Sequence, residues 1–271
     1  MSAFVEQVTE RDPPRSRNTL EEDEEDVLAA ELEEFRLGGC DPVVQLEEEL
    51  GEIDTLIVAV GSELGLFVDA CFPNKRNIGK VCGQVVEVEV GCIKGEGNDG
   101  CTVIVGCADV IPIPESEIVA WGEAIVGKLG SSLPKSVVVF DTIVSSYFVS
   151  DHFDRCEPPL VRGLSVNKDS LVICKQIGIL PLESGNVVTG LSSAILSECV
   201  LSGVKTAVGL ISLREPRMER DTVLALIDPF QKFVGLQNQY LQENLDNVAT
   251  IRKKCSKIEE HRSNDRSSIY I

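Results

Sequence analysis

Histidine is nearly missing from this chain: 271 residues contain two, His152 and His261. Imidazole is the commonest general base near neutral pH and the commonest metal ligand, so its scarcity removes much enzymatic chemistry at the outset. His152 falls in an expected loop and His261 near the end of an expected helix, and no Gly-x-Ser-x-Gly elbow accompanies either. No Cys-x-x-Cys pair occurs, so a zinc site would need dispersed cysteines. The "VGSELG" turn after the first strong strand lacks both Gly-x-Gly-x-x-Gly and the Lys-Ser/Thr ending that makes a phosphate loop specific. The "GEGNDG" loop matches no calcium-binding loop. No apolar run approaches the roughly 18 residues of a membrane span, and the start, Met-Ser-Ala-Phe-Val-Glu-Gln, has neither a basic n-region nor an apolar h-region.

Positive charge is also short: 25 Lys and Arg against 44 Asp and Glu, a net charge of -19. The excess is uneven, with 18 acids and 4 bases in residues 1–54, a net of -14. The remaining chain carries only -5. Nucleic-acid binding depends on clustered Lys and Arg and loses its support here. The one basic run, "IRKKCSK", ends an expected helix, where it complements the helix dipole; an acidic partner or membrane surface is the functional alternative. The acid block of residues 19–35 repels itself and reads as a solvated arm, either a solubility tail or an interaction segment.

Ten cysteines are present, and several, among them Cys101, Cys107, Cys174 and Cys199, lie in apolar strand-like or helical patterns. Small thiols in such places behave as core residues, which indicates free cysteines in a reducing compartment.

From Thr55 onward the pattern becomes that of an ordered body. "TLIVAVG" is a continuous apolar run of the kind a doubly covered central strand needs. "QVVEVEV" alternates, predicting a strand with one wet face, and the "GEGNDG" turn leads into "CTVIVGC", predicting a hairpin. "PESEIVAWGEAIVGKL" spaces Ile118, Trp121, Ile125 and Leu129 for a helix, and "SVVVFD" follows as a buried strand ending at Asp141. "LVICKQI" reads as a further strand. Residues 189–203 read as a helix with Leu191, Ala194, Ile195, Cys199 and Val200 on one side, and "VKTAVGLISL" as a strand. Residues 228–261 read as one long helix, with Asp228 as its cap, Pro229 at its first position, and a stripe running from Phe230 to Ile258. Buried strands alternating with helices predict an α/β fold: a mixed, largely parallel sheet with helices on both faces. The expected organisation is a mostly disordered acidic arm over 1–54, a single domain over 55–262, and a flexible tail over 263–271. Asp141, at a strand end where open α/β sheets place ligands, is the one candidate for enzymatic chemistry, against a plain turn role.

The tail ends in Ser-Ser-Ile-Tyr-Ile. Large apolar residues at a terminus are unusual, because ordering an end costs entropy that little burial offsets. Ile269 offers a rigid apolar plug, Tyr270 a ring with a hydroxyl, and Ile271 a carboxylate that a lysine can pair with. A hydrophobic residue, Tyr and any last residue resemble the motif that proteasome activators and assembly chaperones insert between α-subunits of the proteasome core particle. The apolar residues Ile269 and Ile271 equally fit a PDZ-domain ligand.

The body adds to this. "LPLESGNVVTGLSSAILSECVLSGVKTAVGLISL" is similar to the corresponding segment of the proteasome assembly chaperone 1 family, and "TLIVAVGSELGLFV" to its first core strand and glycine turn. The acidic amino-terminal segment, the long last helix and the tail agree in order. The resemblance spans 55–271 and is diffuse between Phe72 and Pro159. It implies a phosphorylase/hydrolase-like fold without catalysis, no cofactor or metal, and a cytoplasmic protein, with nucleus and endoplasmic reticulum as further places. It also implies a heterodimer with proteasome assembly chaperone 2 that holds proteasome α-subunits through Ile269, Tyr270 and Ile271. The alternatives are a phosphorylase/hydrolase-type enzyme using Asp141 and a PDZ-ligand scaffold.

Overall fold

The structure is a computed structural model, and it describes residues 41–83, 86–94, 100–107, 113–150, 159–215, 220–237 and 239–255. Eight strands form one sheet: β1 (Val43–Leu46), β2 (Glu52–Val60), β3 (Arg76–Cys82), β4 (Glu87–Lys94), β5 (Gly100–Cys107), β6 (Ser136–Val144), β7 (Leu160–Ser165) and β8 (Thr206–Arg214). Their order is β1-β3-β4-β5-β2-β6-β8-β7. The four central strands β5, β2, β6 and β8 run parallel, while β4, β3 and β1 on one side and β7 on the other run antiparallel to their neighbours. This is the mixed α/β architecture that the sequence pattern predicts.

The parallel strands are apolar on both faces because both faces are covered. Alternation along them separates two cores. Leu56, Val58, Val103, Val105, Val137 and Val139 face one layer, formed by α2 (Ile118–Gly127) and α4 (Gly190–Ser202). Ile57, Ala59, Ile104, Val138, Phe140 and Leu210 face the other. That second layer holds α1 (Ser62–Cys71), α3 (Lys168–Gln176), α5 (Arg220–Leu224), α6 (Ile227–Gln237), α7 (Gln239–Asn244) and α8 (Val248–Cys255). In the first layer α2 and α4 approach closely at Gly122, where a Cβ would lie 3.0 Å from the backbone carbon of Ala194. At the centre of the second, the Phe230 ring lies 4.9 Å from that of Phe140 and 5.8 Å from that of Phe72, both edge-on.

Several expectations are corrected. "LVICKQI" belongs to the helix α3 and its C-cap, not to a strand. Asn167 caps it, its Oδ1 accepting from the Ser170 amide at 2.9 Å and from the Ser170 hydroxyl at 2.7 Å. A short apolar run carries no period strong enough to separate helix from strand, and here the cap decides. The long last helix is interrupted at 245–247, while Asn238 and residues 256–261 lie outside the described residues. The Asp246 amide donates to the Cys71 carbonyl at 2.8 Å, and Asn247 starts α8 by accepting from the Ala249 amide at 2.8 Å. Asp and Asn compete with the helix for their own backbone, and a tertiary acceptor completes the break. Asp228 lies inside the first turn of α6, paired with Lys232 at 2.7 Å, rather than before it. On α4 the buried face is Leu191, Ser192, Ile195, Leu196 and Cys199, with Val200 turned outward. Strands β1, β3 and β7 have no counterpart in the sequence reading, and β1 and the start of β2 lie in residues grouped there with the acidic arm.

Candidate functional site

At the carboxyl end of β2 the chain must turn at once into α1, and Gly61 makes that turn with a φ of 112° that other residues adopt only under strain. Ser62 opens α1 and donates to the Oε2 of the buried Glu63 at 2.9 Å. Beside it, β6 continues three residues beyond Asp141, which the sequence placed at the strand end. Asp141 Oδ1 accepts from the Thr142 amide at 2.6 Å, so the carboxylate is engaged by its own backbone. Arg214 Nε donates to Thr142 Oγ1 at 3.0 Å, and Ser145 Oγ to Glu215 at 3.4 Å. These contacts join the ends of β6 and β8.

The described thiols differ in their surroundings. Cys71, Cys82, Cys92, Cys101, Cys174, Cys199 and Cys255 are in no disulfide, and of these all but Cys82 are buried. Burial pushes the Cys199 thiol up to about 12 and raises that of Cys174 as well. Cys71 is raised chiefly by burial and further by its neighbour Cys255. The hydrogen bond between Cys92 and Cys101, with burial, raises the Cys92 thiol, and the same bond lowers that of Cys101. Protonated thiols are poor nucleophiles and poor ligands. Among the described residues no cluster of three potential metal ligands exists, and no helix is long and apolar enough to cross a membrane.

A different kind of surface lies along the β7 edge. Arg162 on β7 has its side chain only 7% exposed, and it forms a forked ion pair with Glu183, its Nε 2.9 and 3.0 Å from the two carboxylate oxygens. Its guanidinium also lies 6.0 Å from the centre of the Phe148 ring. The Gly163 amide donates to the Leu180 carbonyl at 2.8 Å and the Leu182 amide to the Gly163 carbonyl at 2.9 Å, tying residues 180–182 to the strand edge. Asn186 then grips the neighbouring loop twice: its Oδ1 accepts from the Val149 amide, and its Nδ2 donates to the Val149 carbonyl, both at 2.8 Å. On these two tied loops Tyr147, Val149, Leu180 and Val187 stand 78, 53, 64 and 72% exposed. Sequence reasoning missed this surface, because a Val or Leu pointing outward carries no signal distinguishing it from one in the core.

Ile269, Tyr270 and Ile271, like His152 and His261, lie outside the described residues.

Scans against protein-family models and against curated proteins found no match. Solved structures do match in fold. Pyrococcus furiosus PbaB, an archaeal proteasome activator, aligns with a TM-score of 0.59 over 83% of this chain and 99% of its own, at 11% identity. Pyrococcus furiosus PbaA, an archaeal homolog of proteasome-assembly chaperone, aligns at 0.58 over 81% and 94%, at 17% identity. A Thermoplasma acidophilum protein of unknown function aligns at 0.54 over 83% and 94%, at 14% identity. The chain therefore shares the fold of archaeal proteins tied to proteasome assembly and activation.

Proposed function

We propose that the chain is a non-enzymatic chaperone of proteasome core-particle assembly. It works as a heterodimer with proteasome assembly chaperone 2 and docks its carboxyl-terminal tail into a pocket between α-subunits. One combination carries the reading: a fold shared with PbaA and PbaB over more than four-fifths of the chain, and a terminal Ile-Tyr-Ile. In this reading Ile269 fills an apolar pocket, Tyr270 supplies a flat ring and a hydroxyl, and the Ile271 carboxylate pairs with a lysine of the pocket.

Nine residues, 263–271, extend at most about 30 Å, enough for the tail to reach a neighbouring subunit while the domain rests on the ring. Three side chains bind weakly alone. A partner chain with its own tail raises the effective concentration to the millimolar range and lifts avidity without new contacts. The acidic arm keeps the chain off anionic surfaces and suits cytoplasmic work.

The test removes Tyr270 and Ile271 and measures association with purified α-subunits, beside association with the second chaperone. Loss of a central aromatic anchor costs about 2 kcal/mol or more, roughly thirtyfold in affinity. The expected result is weaker α-subunit binding with unchanged partner binding and unchanged unfolding. Undiminished α-subunit binding would refute tail docking. Tyr270→Ala separates this reading from a PDZ ligand, which reads Ile271 and Ile269 and tolerates the tyrosine change.

A further inference from the structure

We propose that Cys101 is a site of reversible oxidation by hydrogen peroxide, with Cys92 as the thiol that closes it into a disulfide and Lys94 as the residue that positions positive charge beside it. This chemistry is independent of the function proposed above.

The register of the β4–β5 ladder carries the proposal. Lys94 lies directly opposite Cys101, and Cys92 directly opposite Val103. Side chains alternate along a strand, so Cys92, Lys94, Cys101 and Val103 leave the same face of the sheet. Cys92, Cys101 and Val103 accordingly share one core. Cys92 and Cys101 are thus diagonal neighbours on that face, and their thiols hydrogen-bond. The bond makes the two sulfurs unequal. It lowers the Cys101 thiol by more than burial raises it, and it raises the Cys92 thiol, as burial also does. The Lys94 ammonium lowers Cys101 further, against the Asp54 and Glu48 carboxylates, which raise it. The proton between the sulfurs therefore rests on Cys92, and Cys101 carries the thiolate character. Lys94 is itself held on two sides, its ammonium 2.7 Å from Glu48 Oε1 and its carbonyl accepting from the Tyr240 hydroxyl. A thiol beside a cation, with a second thiol in reach, is the setting in which cysteine oxidation is selective and reversible.

Access comes from the end of the ladder. Cys92 and Cys101 are 3 and 5% exposed, so the closed sheet shields them. The Lys94–Cys101 pair is the last of the β4–β5 ladder, and beyond the Arg76–Cys92 pair β4 has no β3 beside it. Strand ends open at the least cost, which admits an oxidant of two oxygen atoms. The same freedom allows closure. Diagonal neighbours lie about 7–8 Å apart at Cα and a disulfide spans about 4.4–6.8 Å, so the end of β4 draws in by roughly 1–2 Å.

The Cys101 thiolate attacks one peroxide oxygen. An S–O bond forms, the O–O bond breaks, and the departing hydroxide takes a proton to become water. Cys101 is then a sulfenic acid, its sulfur oxidised by two electrons. The Cys92 sulfur attacks the Cys101 sulfur, the S–S bond forms, the S–O bond breaks, and hydroxide leaves with the Cys92 proton as a second water. Two thiols and one peroxide give one disulfide and two waters, and a dithiol reductant reverses the change.

The experiment treats the folded full chain with hydrogen peroxide near neutral pH, blocks remaining thiols and maps the peptides. The expected product is a Cys92–Cys101 disulfide that dithiothreitol removes. In Cys92→Ser, Cys101 should stop at the sulfenic acid and be trapped by dimedone; in Cys101→Ser, Cys92 should stay reduced. Lys94→Gln should slow disulfide formation at least about threefold and Lys94→Arg should restore it, with urea midpoints confirming that each variant folds. Two reduced thiols in the treated wild type overturn the proposal, as does a disulfide that forms only in urea. Dimedone capture at Cys92 in Cys101→Ser, without capture at Cys101 in Cys92→Ser, overturns it as well. An unchanged rate in Lys94→Gln overturns the part given to Lys94, and that exposed residue can be tested even where a serine variant fails to fold.

Discussion

Replacing Glu183 by Ala should damage this fold more than replacing Arg162, although the two share one ion pair. The reason is where each charge is left. Arg162 keeps a side chain only 7% exposed, whereas Glu183 is 30% exposed. Without Glu183 the guanidinium stays buried with the Val161 carbonyl at 3.4 Å and the Phe148 ring at 6.0 Å as its remaining support. Stranding one partner of a fully buried pair costs about 3–5 kcal/mol. The partial exposure of Glu183 and the support left to Arg162 bring this to about 2–3 kcal/mol. Without Arg162 the carboxylate turns to water, and the loss falls to about 1–2 kcal/mol, mostly packing on Phe148 and the tie to the 180–187 loop. At about 2–4 °C per kcal/mol for a domain of this size, Glu183→Ala should lower Tm by roughly 4–12 °C. Urea unfolding of wild type, both single variants and the double variant gives the coupling directly, provided the m-value holds. The double variant should be no worse than Glu183→Ala, since the stranded charge is gone. Equal losses for the single variants, or a coupling near zero, would show that the fork is a surface contact and remove the anchor from beneath Leu180 and Val187.

Other perturbations read other parts of the molecule. Phe230→Ala empties the centre of a ring cluster with Phe67, Phe72 and Phe140 around it and should cost about 3–5 kcal/mol by denaturant unfolding. Gly122→Val pushes side-chain atoms into the Ala194 backbone and should cost about 2 kcal/mol, whereas the same change at the uncrowded Gly127, whose position has nothing within 4 Å, should be neutral or gain a few tenths. The Lys254 ammonium, 2.8 Å away, holds the Asp246 carboxyl below its ordinary value of 3.8. Its carboxylate therefore stabilises the fold above that ordinary value, and the contribution is lost as pH falls through the lowered one. Asp246→Asn should weaken the protein slightly at pH 6, by under about 1 kcal/mol for a surface pair, and the gap to wild type should shrink as pH falls below the ordinary carboxyl value; a gap independent of pH would exclude the mechanism. In thiol labelling followed by peptide mapping, Cys82 should react well before Cys71, Cys92, Cys174, Cys199 and Cys255, whose thiols are buried.

Much of the fold is legible in the residues themselves. The central strand β2 announces itself because a strand covered on both faces must be apolar along its covered length, and "LIVAV" is. The hairpin of β4 and β5 is legible from Glu87 and Glu89 alternating with Val88 and Val90, since one face there is wet. Short elements at the margins are not legible. Val43–Leu46 and Arg76–Cys82 are strands because each has the other's backbone to bond with, a fact of pairing that no local pattern states. The candidate site divides the same way. The terminal Ile-Tyr-Ile is visible because its chemistry is misplaced for a chain end, while Tyr147, Val149, Leu180 and Val187 read as ordinary core residues.

By itself, then, the sequence determined the charge asymmetry, the scarcity of catalytic side chains, the two-faced parallel core and the chemistry of the tail, since composition and period act locally along the chain. Tertiary structure decided the rest. An asparagine cap made a helix of "LVICKQI", the Cys71 carbonyl stopped the last helix at Asp246, and an ion pair between residues 21 apart turned two loops into a surface. The cap lies three residues from the amide it holds, but the Cys71 carbonyl and the Arg162–Glu183 pair join residues far apart in sequence, so their energy has no expression in the local pattern.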